Sequence, residues 1–226
     1  MSHPSVRQIA LVGAVGGAGL LAVYLRLVRP WTMRWGATDE EVARPLSGDR
    51  LMTRPGFKAT RAITIGAHPE HIWPWLVQLG SGRAGWYAID RIDNAGIPSA
   101  QTVRPELQNL QVGDRIPMIA GEEVGPVVKE LEPNRRMLWW DGKGEFTWEW
   151  LLEPVDDQTT RLLTRVQETY PPLWSRRMLY AIVASSGDIV MVRRQLRGIK
   201  ARAERLAVAS PDPGHPATPT RAEAPA

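Results

Sequence analysis

The feature that most constrains this chain is a change of hydrophobic period. From residue 115 to 169 apolar side chains recur at every second position, and from 189 to 206 they recur at every third or fourth. A period of two belongs to a strand with one buried face, and a period near 3.6 to a helix with one apolar stripe. Strand candidates are 115–119, 124–131, 136–141, 145–153 and 161–169, punctuated by Gly121, Pro133-Asn134, Gly142-Lys143-Gly144 and Asp156-Asp157. Connections that short join antiparallel neighbours, so the segment predicts a meander. Its clearest strand puts Phe146, Trp148, Trp150 and Leu152 on one face and Glu145, Thr147 and Glu149 on the other. The later stripe of Ile189, Val192, Leu196, Ile199, Ala203 and Leu206 predicts a long helix, with Arg193, Arg194, Arg197, Lys200, Arg202 and Arg205 on the rest of its surface.

Ahead of the meander, 60–65 alternates as a first strand. Pro69-Glu70 then opens a helix running to Leu79, with Ile72, Trp75, Leu76 and Leu79 on its inner face and Pro74 predicting a kink. A Gly-rich loop over 80–85, a short amphipathic stretch to Asn94 and irregular chain follow. Together these predict an α+β fold: an antiparallel sheet of about six strands wrapped around a long C-terminal helix, with a cavity between.

Residues 9–25 are apolar or Gly apart from Tyr24, and the run reaches Val28 if Arg26 snorkels. That is the lower edge of a membrane-spanning length. One Arg before the run and no small-x-small site after it favour an uncleaved anchor over a signal peptide. Arg26, Arg29 and Arg34 follow the run and only Arg7 precedes it, which predicts a single-pass cell-membrane protein with a cytoplasmic folded domain. Ala10, Ala14, Ala18 and Ala22 form a small-residue stripe compatible with a homodimer through the anchor. The expected organisation is a flank (1–8), an anchor (9–28), a tether (29–59), a folded ligand-binding domain (60–207) and a disordered Pro/Ala-rich tail (208–226).

Charge narrows the function classes. Residues 37–170 hold 15 basic and 20 acidic side chains, whereas 171–226 hold 9 and 4. A nucleic-acid binder carries its basic patch on the folded body, and here the body is acidic, so no nucleic-acid partner is expected. With no Cys, thiol nucleophiles and Cys-ligated metals are excluded.

Several motifs resemble a known family. Trp35-Gly36-Ala37-Thr38 with Gly48-Asp49, the run from Pro69 to Gln78, Gly82-Arg83-Ala84-Gly85-Trp86-Tyr87, Val112-Gly113-Asp114-Arg115-Ile116 and Gly198-Ile199-Lys200 are similar to a bacterial branch of the START/Bet v 1-like superfamily. That branch is labelled SRPBCC, or polyketide cyclase/dehydrase and lipid transport. The resemblance covers about residues 35–206 and implies a helix-grip fold with a hydrophobic cavity. It implies no particular activity, because such folds host carriers, receptors and enzymes.

Gly80-Ser81-Gly82-Arg83-Ala84-Gly85 matches a dinucleotide pattern, but a helix precedes it where that chemistry needs a strand, so it reads as a loop at the cavity mouth. His68 and His71 flank Glu70 in the first turn of a helix without a third ligand, and neither a metal nor a cofactor is expected. The best catalytic candidates are Asp90, Tyr87 and Arg83, because Trp86, Asp90 and Asp93 share one face if helical and a partly buried Asp suits acid–base work. Solvated or paired Asp residues are the plainer alternative. The expected cavity residues are Trp75, Trp86, Tyr87, Asp90, Trp139, Phe146, Trp148, Trp150, Ile189 and Val192. Ten Trp against two Phe leave open whether the indoles line the cavity or fill it.

Three readings follow. The first is a membrane-anchored, non-catalytic carrier or sensor for a lipid-like or aromatic molecule, with Arg193, Arg194 and Arg197 contacting anionic lipid. The second is a cyclase or dehydratase using the same cavity. The third is an assembly protein whose cavity is filled by Trp.

Overall fold

Alternation in the second half of the chain does produce strands. The computed structural model describes residues 16–17, 19–52, 54–119, 121, 124–169 and 174–210, with the backbone alone over 174–186. β1 (Phe57–Ile65), β2 (Val127–Glu132), β3 (Arg136–Trp140), β4 (Phe146–Asp156) and β5 (Thr159–Glu168) form one antiparallel sheet in the order β1-β5-β4-β3-β2. The helices are α1 (Arg29–Met33), α2 (Asp39–Ala43), α3 (Pro69–Val77), α4 (Asp90–Asp93) and α5 (Trp174–Ala209). Thus β2 to β5 make a meander, β1 adds to its β5 edge, and α5 packs against β1 and α3.

The sheet has five strands, not the six expected. Segment 115–119 makes only an isolated bridge from Arg115 to Val127. It runs beside the start of β2 through Ile116 N–H to Pro126 O at 2.9 Å and Met118 N–H to Val124 O at 3.1 Å. Pro117 and Pro126 have no N–H to donate, so a ladder cannot continue there. The helix expected to reach Leu79 stops at Val77, and Pro74 lies inside it.

The pleat sends Trp139, Trp148 and Val166, in register across β3, β4 and β5, towards α5. Ile72, Trp75, Leu76, Leu162, Val192, Leu196, Ile199 and Ala203 join them in one core. The other sheet face is buried too, which corrects the expectation of a tether at 29–59. Thr38 starts α2 with a capping box, its hydroxyl accepting from Glu41 N–H and Glu41 accepting from Thr38 N–H. The chain from α2 through Arg50 then lies on the outer face, where Gly48 N–H donates to the Glu149 carboxylate at 2.9 Å. Packing wins over flexibility because an uncovered outer face would leave Glu149, Thr147 and Arg165 in water, and all three are buried. Arg165 secures the cover with five hydrogen bonds, to Thr60 Oγ1, Asp49 Oδ2 and the carbonyls of Glu41, Val42 and Arg44.

Residues 9–15 and 18 of the anchor expected at 9–28, and 211–226 of the tail expected at 208–226, lie outside the described residues. Among the described residues no helix is long and apolar enough to cross a membrane. Leu20, Val23, Leu25, Leu27 and Val28 are exposed, and a π-helical turn over Tyr24–Val28 leads into α1.

Candidate functional site

Where α5 crosses the inner face of the sheet, side chains leave a cavity of about 180 Å³. Asp188, Met191, Val192 and Gln195 of α5 form one wall, because spacings of three and four put them on one helix face. Trp86 and Ala88 from the loop before α4, Asp93 of α4, Met118 and Trp148 of β4 complete it. Sites for drug-sized ligands usually offer about 300–1,000 Å³, whereas an apolar cavity of about 150 Å³ takes up benzene. The space therefore matches a molecule of about one ring.

The Trp residues explain that size. Trp86 stacks on Trp148 with ring centres 5.7 Å apart, and Trp148 on Trp150 at 5.0 Å. Trp139 meets Trp86, Trp148 and Trp150 edge-on. Trp139 and Trp150 are wholly buried and fill the space behind, while Trp86 and Trp148 line the cavity. Trp148 Nε1 donates to Thr164 Oγ1 at 2.7 Å, which fixes the ring plane.

Of the expected cavity residues, the structure brings Trp86, Trp148 and Val192 together here. Trp75 packs edge-on to Tyr87 at 6.0 Å in the core, and Phe146 packs against the core margin. Ile189 lines a different pocket on the opposite side of α5, with Trp31, Val190, Arg193, Arg194 and Arg197. There Arg193 and Arg197 sit over the Trp35 ring at 5.3 and 5.8 Å.

The helix face expected to align Trp86, Asp90 and Asp93 does not form. α4 is one turn long, and Tyr87 adopts a left-handed φ of 59°, which separates Trp86 from it. Arg83 donates to the carbonyls of Val77 and Leu79 and so caps the end of α3. The Tyr87 hydroxyl accepts from Gln78 Nε2 at 2.8 Å, and burial pushes its phenol up to about 12. Asp90 accepts from Ser99 Oγ, which itself accepts from Tyr87 N–H at 3.1 Å. Arg83, Tyr87 and Asp90 thus have structural partners, and none of them lines the cavity.

The cavity's carboxylates are Asp93 and Asp188. Burial pushes Asp188 above the usual carboxylate range, although Arg61 Nη1 lies 2.5 Å away and pulls it down. Arg61 is itself 1% exposed on the inner face and donates from Nε to Thr32 O at 2.9 Å. Burial also raises Asp93, its Oδ2 accepting from Ile89 N–H at 3.3 Å while its Oδ1 is buried without a hydrogen bond. Sequence reasoning missed Asp188, although an acid four residues before Val192 is in register with the apolar stripe. It also missed Gln78, which ties Tyr87 to Arg104 N–H, and Arg202, whose guanidinium covers the Tyr87 ring at 4.4 Å; long-range pairing leaves no local signal.

The Gly-rich loop closes on itself through a Gly80–Gly85 bridge after α3, so it lacks the strand-to-helix setting of a phosphate cradle. His68 is the N-cap residue of α3, and His71 Nε2 lies 3.1 Å from Ser210 O. Among the described residues, no three His, Asp or Glu side chains are grouped to hold a metal.

No family profile matches the sequence, and no curated protein is significantly similar to it. Solved structures do resemble it in part. A Thermobifida fusca protein aligns over 66% of this chain and 94% of its own, at 14% identity and a TM-score of 0.42. An aromatase/cyclase from a Streptomyces species aligns over 67% and 94%, at 16% identity and 0.38. A polyketide cyclase-like protein of Corynebacterium glutamicum aligns over 70% and 90%, at 19% and 0.30. Likeness at this level says nothing about ligand or reaction.

Proposed function

We propose that this protein is a non-catalytic binding module for a small hydrophobic or aromatic molecule. The observation that carries the reading is the cavity of about 180 Å³ walled by Trp86, Trp148, Met118, Met191 and Val192. Indole faces and thioethers favour flat, polarizable guests. The alternative of a cyclase or dehydratase loses its main residues, since Asp90 and Tyr87 are tied to Ser99 and Gln78 outside the cavity. Native mass spectrometry of protein extracted gently from its own membranes is the test. A stoichiometric co-purifying aromatic or short-chain metabolite is expected. An empty protein that also takes up no apolar probe would sink the binding reading.

The proposed setting is a membrane surface, with 9–28 as a single-pass anchor and the folded domain on the cytoplasmic side. Two observations support it: the exposed apolar side chains of Leu20, Val23, Leu25, Leu27 and Val28, and the Trp31, Arg193, Arg194 and Arg197 pocket beside α1. No described acid forms an ion pair with those three arginines, which suits them to lipid phosphate. Carbonate extraction of native membranes reads this directly. Release of the full chain into the soluble fraction would refute the anchor.

A further inference from the structure

On the premise of the membrane setting proposed above, the pocket on the opposite side of α5 has a definite occupant. It measures about 320 Å³ and is lined by Trp31, Ile189, Val190, Arg193, Arg194 and Arg197. Ligand sites usually offer about 300–1,000 Å³. Arg194 and Arg197 are exposed and Arg193 is half-buried, so the guanidiniums can be reached from outside. No described residue forms an ion pair or a hydrogen bond with any of the three side chains. The surrounding chain brings no counter-charge, because residues 1–38 and 169–187 contain neither Asp nor Glu. Asp188, the nearest acid in sequence, is paired with Arg61. Like charges gathered in one place repel each other unless an anion lies among them.

Two of the three arginines are also held in place. Arg193 and Arg197 leave α5 from one face, and their guanidiniums lie 5.3 and 5.8 Å from the centre of the Trp35 ring. A guanidinium held against an indole is oriented before any ligand arrives. The rest of the wall is apolar: Ile189, Val190 and the indole of Trp31, which is 50% exposed. A free inorganic anion would leave that surface in water, whereas a lipid brings its glycerol and acyl carbons to it. Trp31 stands three residues after Val28, about 4.5 Å along the helix axis. Leu25, Leu27 and Val28 are exposed just before it. A chain anchored through those residues holds the pocket at headgroup depth.

We propose that the pocket seats the phosphate of a single anionic membrane lipid. Arg193 and Arg197 grip it through N–H donors, Arg194 guards the rim, and the glycerol and acyl carbons lie against Trp31, Ile189 and Val190. A seated headgroup differs from the general attraction of a basic face. General attraction depends on charge alone, whereas a seated phosphate uses the planar guanidinium fork that lysine lacks.

The test uses the full chain in a mild non-ionic detergent, given equal amounts of phosphatidylglycerol and phosphatidylcholine of the same acyl composition. Native mass spectrometry counts the lipid retained. One phosphatidylglycerol per chain is expected, preferred roughly tenfold or more, as charge-assisted hydrogen bonds to a phosphate imply. Changing Arg193→Lys and Arg197→Lys together keeps the charge and is expected to erase most of that preference. Arg194→Gln, at an exposed side chain, serves as a second variant should the double one fail to fold, and is expected to lower the preference several-fold. Equal retention of the two lipids, uptake of many phosphatidylglycerols with no plateau at one, or a preference untouched by the lysine pair would overturn the seated headgroup. Glycerol 3-phosphate, followed by phosphorus NMR, is expected to bind far more weakly than the lipid; equal affinity would overturn the lipid as the source of the phosphate. Loss of lipid preference in a chain that stays in carbonate-washed membranes would overturn this site alone. Release of the chain by carbonate would overturn the membrane setting and the site together.

Discussion

Replacing Arg165 by methionine tests what holds the N-terminal segment onto the sheet. The side chain is 1% exposed, and its five N–H donors meet five acceptors. Methionine matches much of its length and loses every bond. Asp49 would keep Lys58 at 3.0 Å and the Leu46 N–H, and Thr60 can turn its hydroxyl, so their losses are softened. The carbonyls of Glu41, Val42 and Arg44 have no such substitute. An orphaned buried acceptor costs about 1–3 kcal/mol, and burying methionine returns about 2 kcal/mol. Three such carbonyls give a net loss of about 1–7 kcal/mol, and the value expected when one partner of a buried ion pair is removed, about 3–5 kcal/mol, lies within it. For a domain of this size that is a fall in Tm of roughly 6–20 °C. Urea unfolding followed by far-UV circular dichroism gives the free energy, and limited proteolysis reports whether 37–52 detaches first. A loss below about 1 kcal/mol with that segment still protected would refute the assignment of Arg165 as its fastener.

Other perturbations have equally definite outcomes. Gly198→Ala gains about 1 kcal/mol of helix propensity, yet its new Cβ would lie 2.3 Å from Tyr87 O and 2.8 Å from Tyr87 Cβ. Overpacking prevails, and a net destabilisation of roughly 1–3 kcal/mol is expected in denaturant melts; an unchanged midpoint would contradict the close helix–loop contact. Trp86→Ala should cost about 3–5 kcal/mol and enlarge the cavity, which uptake of a two-ring fluorescent probe by the variant alone would show. Because burial holds the Tyr87 phenol at about 12, ultraviolet titration should show a late tyrosinate phase that Tyr87→Phe removes. Glu41 is held below the ordinary carboxylate value chiefly by its hydrogen bond from Arg161, and Asp49 also sits low because backbone and cation contacts outweigh its burial. Their contribution is fully present above the unfolded values of about 4 and is lost as pH falls through the lower folded values. Stability should therefore decline on acidification below about pH 4, less steeply in Glu41→Gln; an identical slope in the variant would refute the linkage.

How much of this was legible beforehand depended on whether the signal was local. The meander was legible because alternation is written into neighbouring residues: Phe146, Trp148, Trp150 and Leu152 share a face whatever packs on it. Helix α5 was legible for the same reason, through Val192, Leu196, Ile199 and Ala203. The failures are non-local. Proline at 117 and 126 removed a sixth strand, because a ladder needs donors on both sides of the pair. The supposed tether became a cover, because a loop's flexibility counts for less than burying Glu149 and Arg165 with every bond made. The site diverged most. Asp90, Tyr87 and Arg83 looked free to act in the chain's own neighbourhood, but Ser99, Gln78 and the end of α3 engage them in space. Periodicity by itself determined which residues face inward. Tertiary structure alone decided that Trp139 and Trp150 fill the interior, that Trp86 and Trp148 line what is left, and that Arg61 of β1 pairs with Asp188 of α5, since side-chain volume and charge pairing are settled between segments distant in sequence.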